Sequence, residues 1–315
     1  MGNKRDATGT IKSLAKELGF DMVGVSAAER LNDASLRLSE WLSRGYQSTM
    51  EWMNRNVEKR IDPRSAMEGA QSVISLAKNY YVPIDHGMEH LKISRYAWGE
   101  DYHFVIGKML EGLVAKLNER FQGNRFVYYC DTGPVMEKVW AQRSGIGWIG
   151  KNTNLINSRT GSWLFLSEVI TDLECEGDLP ETDHCGTCRA CIDACPTEAI
   201  VEPYVLDSGR CISYLTIENK DHAIPAEYAS RLDNWVFGCD ICQDVCPWNA
   251  KFQTPTNEAA FHPREENLNL DCREAHLMTR EEFSKRFRRS PVKRSRYDGF
   301  VRNIIAIRNS VNSSK

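Results

Sequence analysis

Two cysteine runs constrain what this chain can fold into more than any other feature of its sequence. They are "CGTCRACIDACP" at residues 185–196 and "CDICQDVCP" at residues 239–247. Cysteines at two-residue gaps let a tight loop direct three thiolates at one iron–sulfur cubane, and a later cysteine before proline crosses to a second cubane. Structural zinc sites instead use separate C-x2-C knuckles. The runs therefore predict two 4Fe-4S clusters in a ferredoxin-like domain of the bacterial two-cluster type.

The spacing also predicts which cysteines bind each cluster. The second run lacks one of the four expected cysteines, and Cys211 in "GRCISYL" can replace it. Because the last cysteine of a run ligates the other cluster, we expect one cluster on Cys185, Cys188, Cys191 and Cys246, and the other on Cys195, Cys211, Cys239 and Cys242. The remaining cysteines, Cys130, Cys175 and Cys272, are expected to be packed or surface thiols.

The bulk composition indicates an intracellular protein. Eight of the 11 cysteines fall between residues 185 and 246 and no apolar segment follows Met1, which favours metal binding in a reducing compartment over disulfides. No apolar run approaches the ~18 residues of a membrane span, so we expect a cytoplasmic protein without membrane contact. The formal net charge of −3 gives no global reason to expect nucleic-acid binding.

Hydrophobic periodicity predicts an α+β fold for the first half of the chain. Residues 125–130 form a short segment that is apolar after Arg125, which is typical of a central strand, and residues 152–173 predict a hairpin. The other expected elements are a strand over 72–82 and helices over 31–44, 103–121 and 135–145. We expect three regions: a catalytic domain over 1–174, the ferredoxin-like domain over 175–255, and a basic, mainly helical segment over 256–315.

Outside the cysteine runs, residues 128–152 carry the densest group of candidate functional residues. Asp131 follows the strand and precedes a turn and a helix. Desolvation at a strand end can raise the pKa of a carboxyl, which suits a general acid, whereas the same position also suits a helix N-cap. Glu137 is either satisfied in the core or exposed. The glycines of "SGIGWIGKN" lack the strand–helix context of a dinucleotide fingerprint and predict close approach of the backbone to a large flat ligand.

Five segments and the two cysteine runs, in this order, resemble the epoxyqueuosine reductases, which use cobalamin and iron–sulfur clusters to finish queuosine in tRNA. The resemblance extends over residues 10–310. The segments are "EKRIDPR" (58–64), "SRYAWGEDYH" (94–103), "DTGPVMEK" (131–138), "GIGWIGKNTNLI" (145–156) and "GSWLFLSEVIT" (161–171).

The resemblance implies a fold, a reaction and a set of site residues. It implies an N-terminal domain similar to nitroreductase-like folds that holds cobalamin against the ferredoxin-like domain. Electrons from an external donor, such as a flavodoxin or ferredoxin, then reach cobalt and reduce epoxyqueuosine at the wobble position of tRNA. The family's proton donor corresponds to Asp131. The residues expected to line the cobalamin are Arg60, Ser94, Asp131, Leu155, Leu166 and Ser213.

The C-terminal region is basic. Residues 280–308 hold ten Lys or Arg against three acidic residues, which is the footprint of a phosphate-binding surface; the alternative is a solvated helix face. Many family members carry a helical-repeat domain beyond the position of Lys315, so the resemblance implies a short form that holds tRNA with less surface or a different one. A monomer is the simpler expectation for a tRNA-modifying enzyme of this size. The expected tRNA contacts are Lys138, Arg286, Arg288, Arg289, Lys293, Arg294 and Arg296.

Two other functions are compatible with parts of the sequence. One is a different cobalamin and iron–sulfur reductase, such as a reductive dehalogenase, although those enzymes usually carry an export signal and have no use for a basic tail. The other is a plain electron-transfer protein, which leaves the large N-terminal domain unexplained.

Overall fold

Helices and short strands alternate through the first half of the protein. The computed structural model describes residues 4–85, 87, 90–221 and 223–313. Within these residues, the helices before residue 175 are α1 (Lys4–Glu17), α2 (Asn32–Ser43), α3 (Val57–Ile61), α4 (Pro63–Ala66), α5 (Tyr102–Arg120) and α6 (Glu137–Arg143). The strands are β1 (Met22–Ala27), β2 (Ser72–Asn79), β3 (Lys92–Ile93), β4 (Phe126–Tyr129), β5 (Trp148–Ile149), β6 (Leu155–Ile156) and β7 (Leu164–Thr171).

A four-stranded antiparallel sheet in the order β1–β2–β7–β4 forms the centre of this half. Alternate residues of a strand point to opposite faces, so the sheet has two buried faces. On one face, α1 and α5 pack side chains such as Ile11 and Leu110 against Ile74. On the other, Trp140 of α6 packs against Val73. The predicted α+β class and the helices predicted over 31–44, 103–121 and 135–145 are confirmed.

Two details of the predicted sheet are wrong. Among the described residues β4 pairs with β7 alone and is an edge strand, and Val127 and Tyr128 are partly exposed. Its ends are the parts in the core: Phe126 is buried in the cluster of α1 and α5, and Tyr129 packs against the cluster of α6. The expected hairpin over 152–173 is also replaced: β6 pairs with β5, while β7 continues into the main sheet.

The cysteine-rich region and the C-terminal segment consist of short elements. The structure assigns α7 (Ala190–Asp193), β8 (Ile200–Glu202), β9 (Val205–Leu206), α8 (Ala226–Ala229), β10 (Trp235–Phe237), α9 (Ile241–Asp244) and α10 (Pro247–Phe252). The C-terminal helices are α11 (Glu265–Leu268), α12 (Cys272–Leu277), α13 (Arg280–Arg286) and α14 (Arg296–Ser313). No helix among the described residues has both the length and the apolar character needed to cross a membrane.

One hydrophobic core joins these regions. β3 pairs in parallel with β10, and the buried side chains of Trp98, Phe237 and Phe300 belong to a single cluster. The N-terminal segment that contains β3 is therefore fixed to both the cysteine-rich region and α14. This junction sets the position of the sheet relative to the cysteines.

Candidate active site

Four cysteine side chains gather around the loop before α7. Burial and the neighbouring thiolates of Cys246, Cys185 and Cys188 raise the pKa of the Cys191 thiol. Negatively charged thiolates this close together repel one another unless bound metal ions supply positive charge. The Lys151 ammonium donates a hydrogen bond of 2.9 Å to the carbonyl oxygen of Cys188 and ties this loop to the N-terminal half. These are the four ligands predicted for the first cluster.

A second group of four cysteines adjoins the first. Burial raises the pKa of Cys242, and the thiolates of Cys211, Cys191 and Cys195 raise it further. The pKa of Cys239 is raised by burial and then by Cys211 and Cys242. Cys191 belongs to the first group and acts on Cys242 in the second, so the two groups are neighbours.

Among the described residues, no three His, Cys, Asp or Glu side chains converge closely enough to hold one metal ion. The other three cysteines lie outside both groups; Cys130, for example, donates its thiol hydrogen to the carbonyl oxygen of Leu166 at 3.8 Å.

A cavity of about 370 Å³ lies between the sheet and the cysteine-rich region. All four cysteines of the second group line it, and Asp131 lines it from the N-terminal side. The rest of the wall is largely aromatic and aliphatic, with Tyr80, Tyr102, Phe165, Leu166, Ile200 and Ile241 among its residues. One space therefore joins a redox centre to a carboxyl group.

Asp131 is held by a strained turn at the end of β4. Its φ of 57° lies in the left-handed region, which is uncommon for a residue other than glycine and recurs at functional sites. Its backbone N–H donates a 2.6 Å hydrogen bond to Oε1 of Glu137. α6 begins at Glu137 after Met136, and no side chain caps it. The N-cap alternative for Asp131 is therefore wrong, and its side chain, 43% exposed, faces the cavity.

His103 connects Asp131 to α5. Its Nδ1 lies 2.8 Å from Oδ1 of Asp101, and its Nε2 lies 3.2 Å from Oδ2 of Asp131. Burial alone would lower the pKa of His103, but the hydrogen bonds and charges of these two carboxylates raise it to about 9. His103 is thus an imidazolium at neutral pH, and both ring nitrogens donate.

The carboxyl of Asp131 is ionised at neutral pH. Burial favours a higher pKa for Asp131, but the hydrogen bond and charge of His103, followed by Arg294 at 3.8 Å, outweigh burial and hold the pKa below its ordinary value. The expectation that desolvation raises this pKa is therefore wrong. The His103–Asp131 pair instead stores one proton as a unit.

Two further carboxyl groups lie beside this pair. Burial raises the pKa of Glu137, which lines the cavity, to about 8. Glu168 on β7 is fully buried, and neither of its oxygens has a hydrogen-bond partner among the described residues. Burial and then Glu137 raise its pKa well above the ordinary value. Sequence reasoning left Glu137 undecided and missed His103, although the histidine lies in the quoted segment "SRYAWGEDYH".

Four of the residues expected around cobalamin line the cavity. They are Ser94, Asp131, Leu166 and Ser213. The hydroxyl of Ser94 donates to the buried carboxylate of Asp240 and so also fixes the loop between two cysteines of the second group. Aromatic and aliphatic walls with a few hydroxyl and amide groups suit a large, flat macrocycle with polar substituents. The described residues therefore fit a corrin.

The other two expected contacts lie elsewhere. Leu155 is buried with Ala141 and Ile146 beneath α6, and Leu164 occupies the cavity wall in its place. Arg60 on α3 lies outside the cavity wall, and its guanidinium carbon is 5.4 Å from the centre of the Trp52 ring. A sequence match shows which segment holds an expected site residue, but it does not show which side of a short element faces the cavity.

The glycine-rich loop contacts the protein itself. A Cβ added at Gly147 would lie 2.2 Å from the carbonyl oxygen of Ile156, and one at Gly145 would lie 2.5 Å from that of Leu179. Gly145 also has a φ of 73°. The expectation that these glycines make room for a ligand is therefore wrong, because the close approach is between segments of this chain.

The residues predicted to bind tRNA separate into outer and inner groups. Arg288, Lys293 and Arg296 are exposed on the C-terminal segment. Arg289 is also exposed, pairs with Glu100, and has its guanidinium carbon 4.8 Å from the centre of the exposed Phe104 ring. These residues form a basic surface next to the beginning of α5.

The other three predicted tRNA contacts are engaged with acidic or carbonyl partners of this chain. Arg286 is only 16% exposed and lies 3.6 Å from Glu274. Arg294 is 43% exposed, donates to Glu218 and approaches Asp131. Lys138 is exposed at the cavity wall and donates to the carbonyl oxygen of Thr153 at 3.0 Å. Arg294 and Lys138 therefore lie beside the candidate acid–base residues and not on the outer basic surface.

Family profiles match both halves of this site. The profile described as "4Fe-4S double cluster binding domain" matches residues 184–249. The profile described as "Epoxyqueuosine reductase QueG, DUF1730" matches residues 60–132. The first contains the eight cluster cysteines, and the second ends just after Asp131.

Similar proteins extend the match to almost the whole chain. The epoxyqueuosine reductase of Leadbetterella byssophila is 47% identical over 304 residues, which cover 96% of this chain and 99% of the relative. That of Cellulophaga algicola is 46% identical over 307 residues, with the same coverage. A crystal structure of epoxyqueuosine reductase with an epoxyqueuosine-modified tRNA-Tyr stem loop has a TM-score of 0.89 at 29% identity, and the match covers 97% of this chain and 81% of that one.

One solved structure is described by the position of its own catalytic loop. It is an epoxyqueuosine reductase from Bacillus subtilis described with its catalytic aspartate loop swung out of the active site. It has a TM-score of 0.89 at 29% identity, covering 97% of this chain and 82% of that chain.

Proposed function

The chain belongs to the epoxyqueuosine reductase family, and from that premise we propose that it reduces epoxyqueuosine at the wobble position of tRNA to queuosine, with Asp131 delivering a proton. It is an oxidoreductase of queuosine biosynthesis that uses cobalamin and two 4Fe-4S clusters. The observation that best supports this function is the cavity shared by Asp131 and the four cysteines of the second group. A plain electron-transfer protein has no use for such a cavity.

The two cysteine groups carry electrons to the cavity. The first group receives them from an external one-electron donor, such as a flavodoxin or ferredoxin, and the second group borders the cofactor. When bound, cobalamin supplies a low-potential cobalt centre that carries electrons to the substrate. Ser94, Leu166 and Ser213 would hold it against the second group.

The His103–Asp131 pair supplies a proton. As the epoxide oxygen gains negative charge, the imidazolium of His103 passes its proton across their 3.2 Å contact to Asp131, which delivers it to the oxygen. The pair changes from imidazolium and carboxylate to imidazole and carboxylate, and it takes up one proton from solvent before the next turnover. Asp101 holds the ring of His103 in place through Nδ1 at 2.8 Å. This use of a carboxyl and a positioned histidine is general acid catalysis.

The basic surface of the C-terminal segment is proposed to bind the tRNA. Its exposed residues Arg288, Arg289, Lys293 and Arg296 can contact phosphates while the modified nucleotide enters the cavity. A tRNA substrate requires a cytoplasmic location, and one monomer carries both the surface and the cavity.

One reconstitution tests the function. Protein loaded anaerobically with iron, sulfide and cobalamin is incubated with epoxyqueuosine-containing tRNA and a chemical reductant, and the nucleosides are analysed by mass spectrometry. We expect loss of one oxygen atom from epoxyqueuosine only when all components are present. Unchanged epoxyqueuosine with fully loaded protein would refute the proposal.

A further inference from the structure

The reaction consumes more protons than the His103–Asp131 pair holds. Converting an epoxide to an alkene breaks both C–O bonds and takes up two electrons and two protons, and the oxygen leaves as water. The electrons come from the clusters. The pair stores one proton, because one of its two members is protonated at neutral pH. A second acid must therefore supply the other proton.

We propose that Glu137 is this second proton donor and completes the water molecule that leaves the epoxide. This inference rests on the proposed function. In the balanced step, Asp131 protonates the oxygen as the first C–O bond breaks, and Glu137 protonates the resulting hydroxyl group as the second bond breaks. Glu137 becomes a carboxylate and takes up a proton from solvent before the next turnover.

The geometry places Glu137 within the same space as Asp131. It lines the cavity, and its Oε1 accepts the 2.6 Å hydrogen bond from the backbone N–H of Asp131. α6 holds it there, because Trp140 and Ala141 are buried against the sheet. The two carboxyl groups therefore approach one reacting oxygen from adjacent positions, and neither can move away without breaking this contact or unpacking the helix.

Burial favours the protonated form of Glu137 and raises its pKa. A second carboxyl, Glu168 of β7, lies behind α6 and pairs in register with Ser75 of β2, and the side-chain oxygens of both residues lack hydrogen-bond partners among the described residues. Such a buried carboxyl without donors is neutral. The charged and titratable groups that act on Glu137 and Asp131, besides each other, are His103, Lys138, Arg294 and Tyr102.

The decisive variant is Glu137→Gln. Its amide oxygen still accepts the hydrogen bond from Asp131, but the side chain has no acidic proton. We expect unchanged iron and cobalamin content and a single-turnover rate about 100-fold lower, because a positioned acid contributes at least that much. Glu168→Gln is the matched control. It replaces a neutral buried carboxyl outside the cavity wall with an isosteric amide and leaves the rate unchanged.

The pH profile distinguishes the loss of a proton donor from a general structural defect. The acids must be protonated, so the rate is retained at lower pH and lost as pH rises. In the wild type, Glu137 loses its proton near pH 8 and the His103–Asp131 pair loses its proton near pH 9. The rate therefore falls more steeply with pH than it would after the loss of one proton. In Glu137→Gln the decline follows one proton only. Glu137→Asp keeps the two-proton decline at a reduced rate.

A spectroscopic measurement does not depend on turnover. Infrared spectra of the loaded enzyme without tRNA are recorded across the same pH range. We expect a protonated-carboxyl band that disappears near pH 8 in wild type and Glu168→Gln and is missing from Glu137→Gln. An active wild type with an unaltered rate and two-proton decline in Glu137→Gln would overturn the role of Glu137. An inactive wild type would instead refute the proposed function.

Discussion

Because His103 and Asp131 share one proton, we expect His103→Asn to change the pH dependence of the reaction. Asparagine keeps a polar side chain beside Asp131 and removes the positive charge. At 3.2 Å, the imidazolium and carboxylate attract each other by about 5 kcal/mol at an effective dielectric constant of about 20. The side chains are 30% and 43% exposed, so solvent screens part of this attraction, and removal of the positive charge raises the pKa of Asp131.

The variant changes which group limits activity at high pH. In the wild type the pair keeps its proton up to the pKa of His103, about 9. In His103→Asn only Asp131 remains, and its pKa rises from a depressed value but stays in the acidic range. Because the acid must be protonated, activity is present at low pH and is lost as pH rises through that lower pKa. We expect a defect of about 100-fold or more at pH 8, since each pKa unit corresponds to tenfold, and a much smaller defect near pH 5.

Single-turnover rates on epoxyqueuosine-containing tRNA between pH 5 and 9 provide the assay. His262→Asn, at an exposed histidine of the C-terminal segment, is the control and should match the wild type. The reasoning is refuted if His103→Asn shows the same fractional loss at every pH, because that pattern indicates a structural defect and not a missing proton.

Other substitutions test the remaining parts of the site. Asp131→Asn should keep its iron and cobalamin but lose at least about 100-fold in rate, as measured by nucleoside mass analysis; a rate close to wild type would exclude Asp131 as the acid. Cys211→Ala should retain about one cluster's worth of iron, whereas Cys130→Ala should retain both clusters, and full iron in the first variant would show that another residue is the ligand. Replacing Arg288, Lys293 and Arg296 together with Gln should weaken tRNA binding and reduce the salt dependence by about two to three counterions, whereas the same change at the exposed residues Lys16, Lys59 and Arg120 should leave both unchanged. Equal tRNA affinity in the two triple variants would identify the C-terminal bases as a solvated surface.

The cysteine assignments show how much local spacing can determine. Two-residue gaps restrict where neighbouring thiolates can point. The spacing of the run at 185–195 therefore limits the possible positions of its thiolates independently of the rest of the fold. The pairing of Cys246 with the first group and Cys211 with the second is a prediction from the ferredoxin pattern, and in the structure Cys246 raises the pKa of Cys191 while Cys211 raises that of Cys242. The order of motifs along the chain likewise identified the family.

The acid–base groups could not be derived in that way. Asp131, Glu137 and His103 come from a turn, α6 and α5, and Glu168 lies on β7. Desolvation and charge add up over all these elements, and their sum lowers the pKa of Asp131 while raising that of Glu137. A local pattern contains neither the distances nor the burial that determine this sum.

The sequence by itself therefore determined the fold class and the family and predicted the cluster ligands, because these depend on residue types at short or ordered spacings. The tertiary structure alone decided which carboxyl holds a proton, which basic residues remain on the surface, and which predicted contacts reach the cavity. Arg294 shows the difference most directly: it belongs to a basic segment by sequence, yet it lies 3.8 Å from Asp131 in the fold. The physical reason is that electrostatic and solvation energies depend on distances in space between residues far apart in the chain.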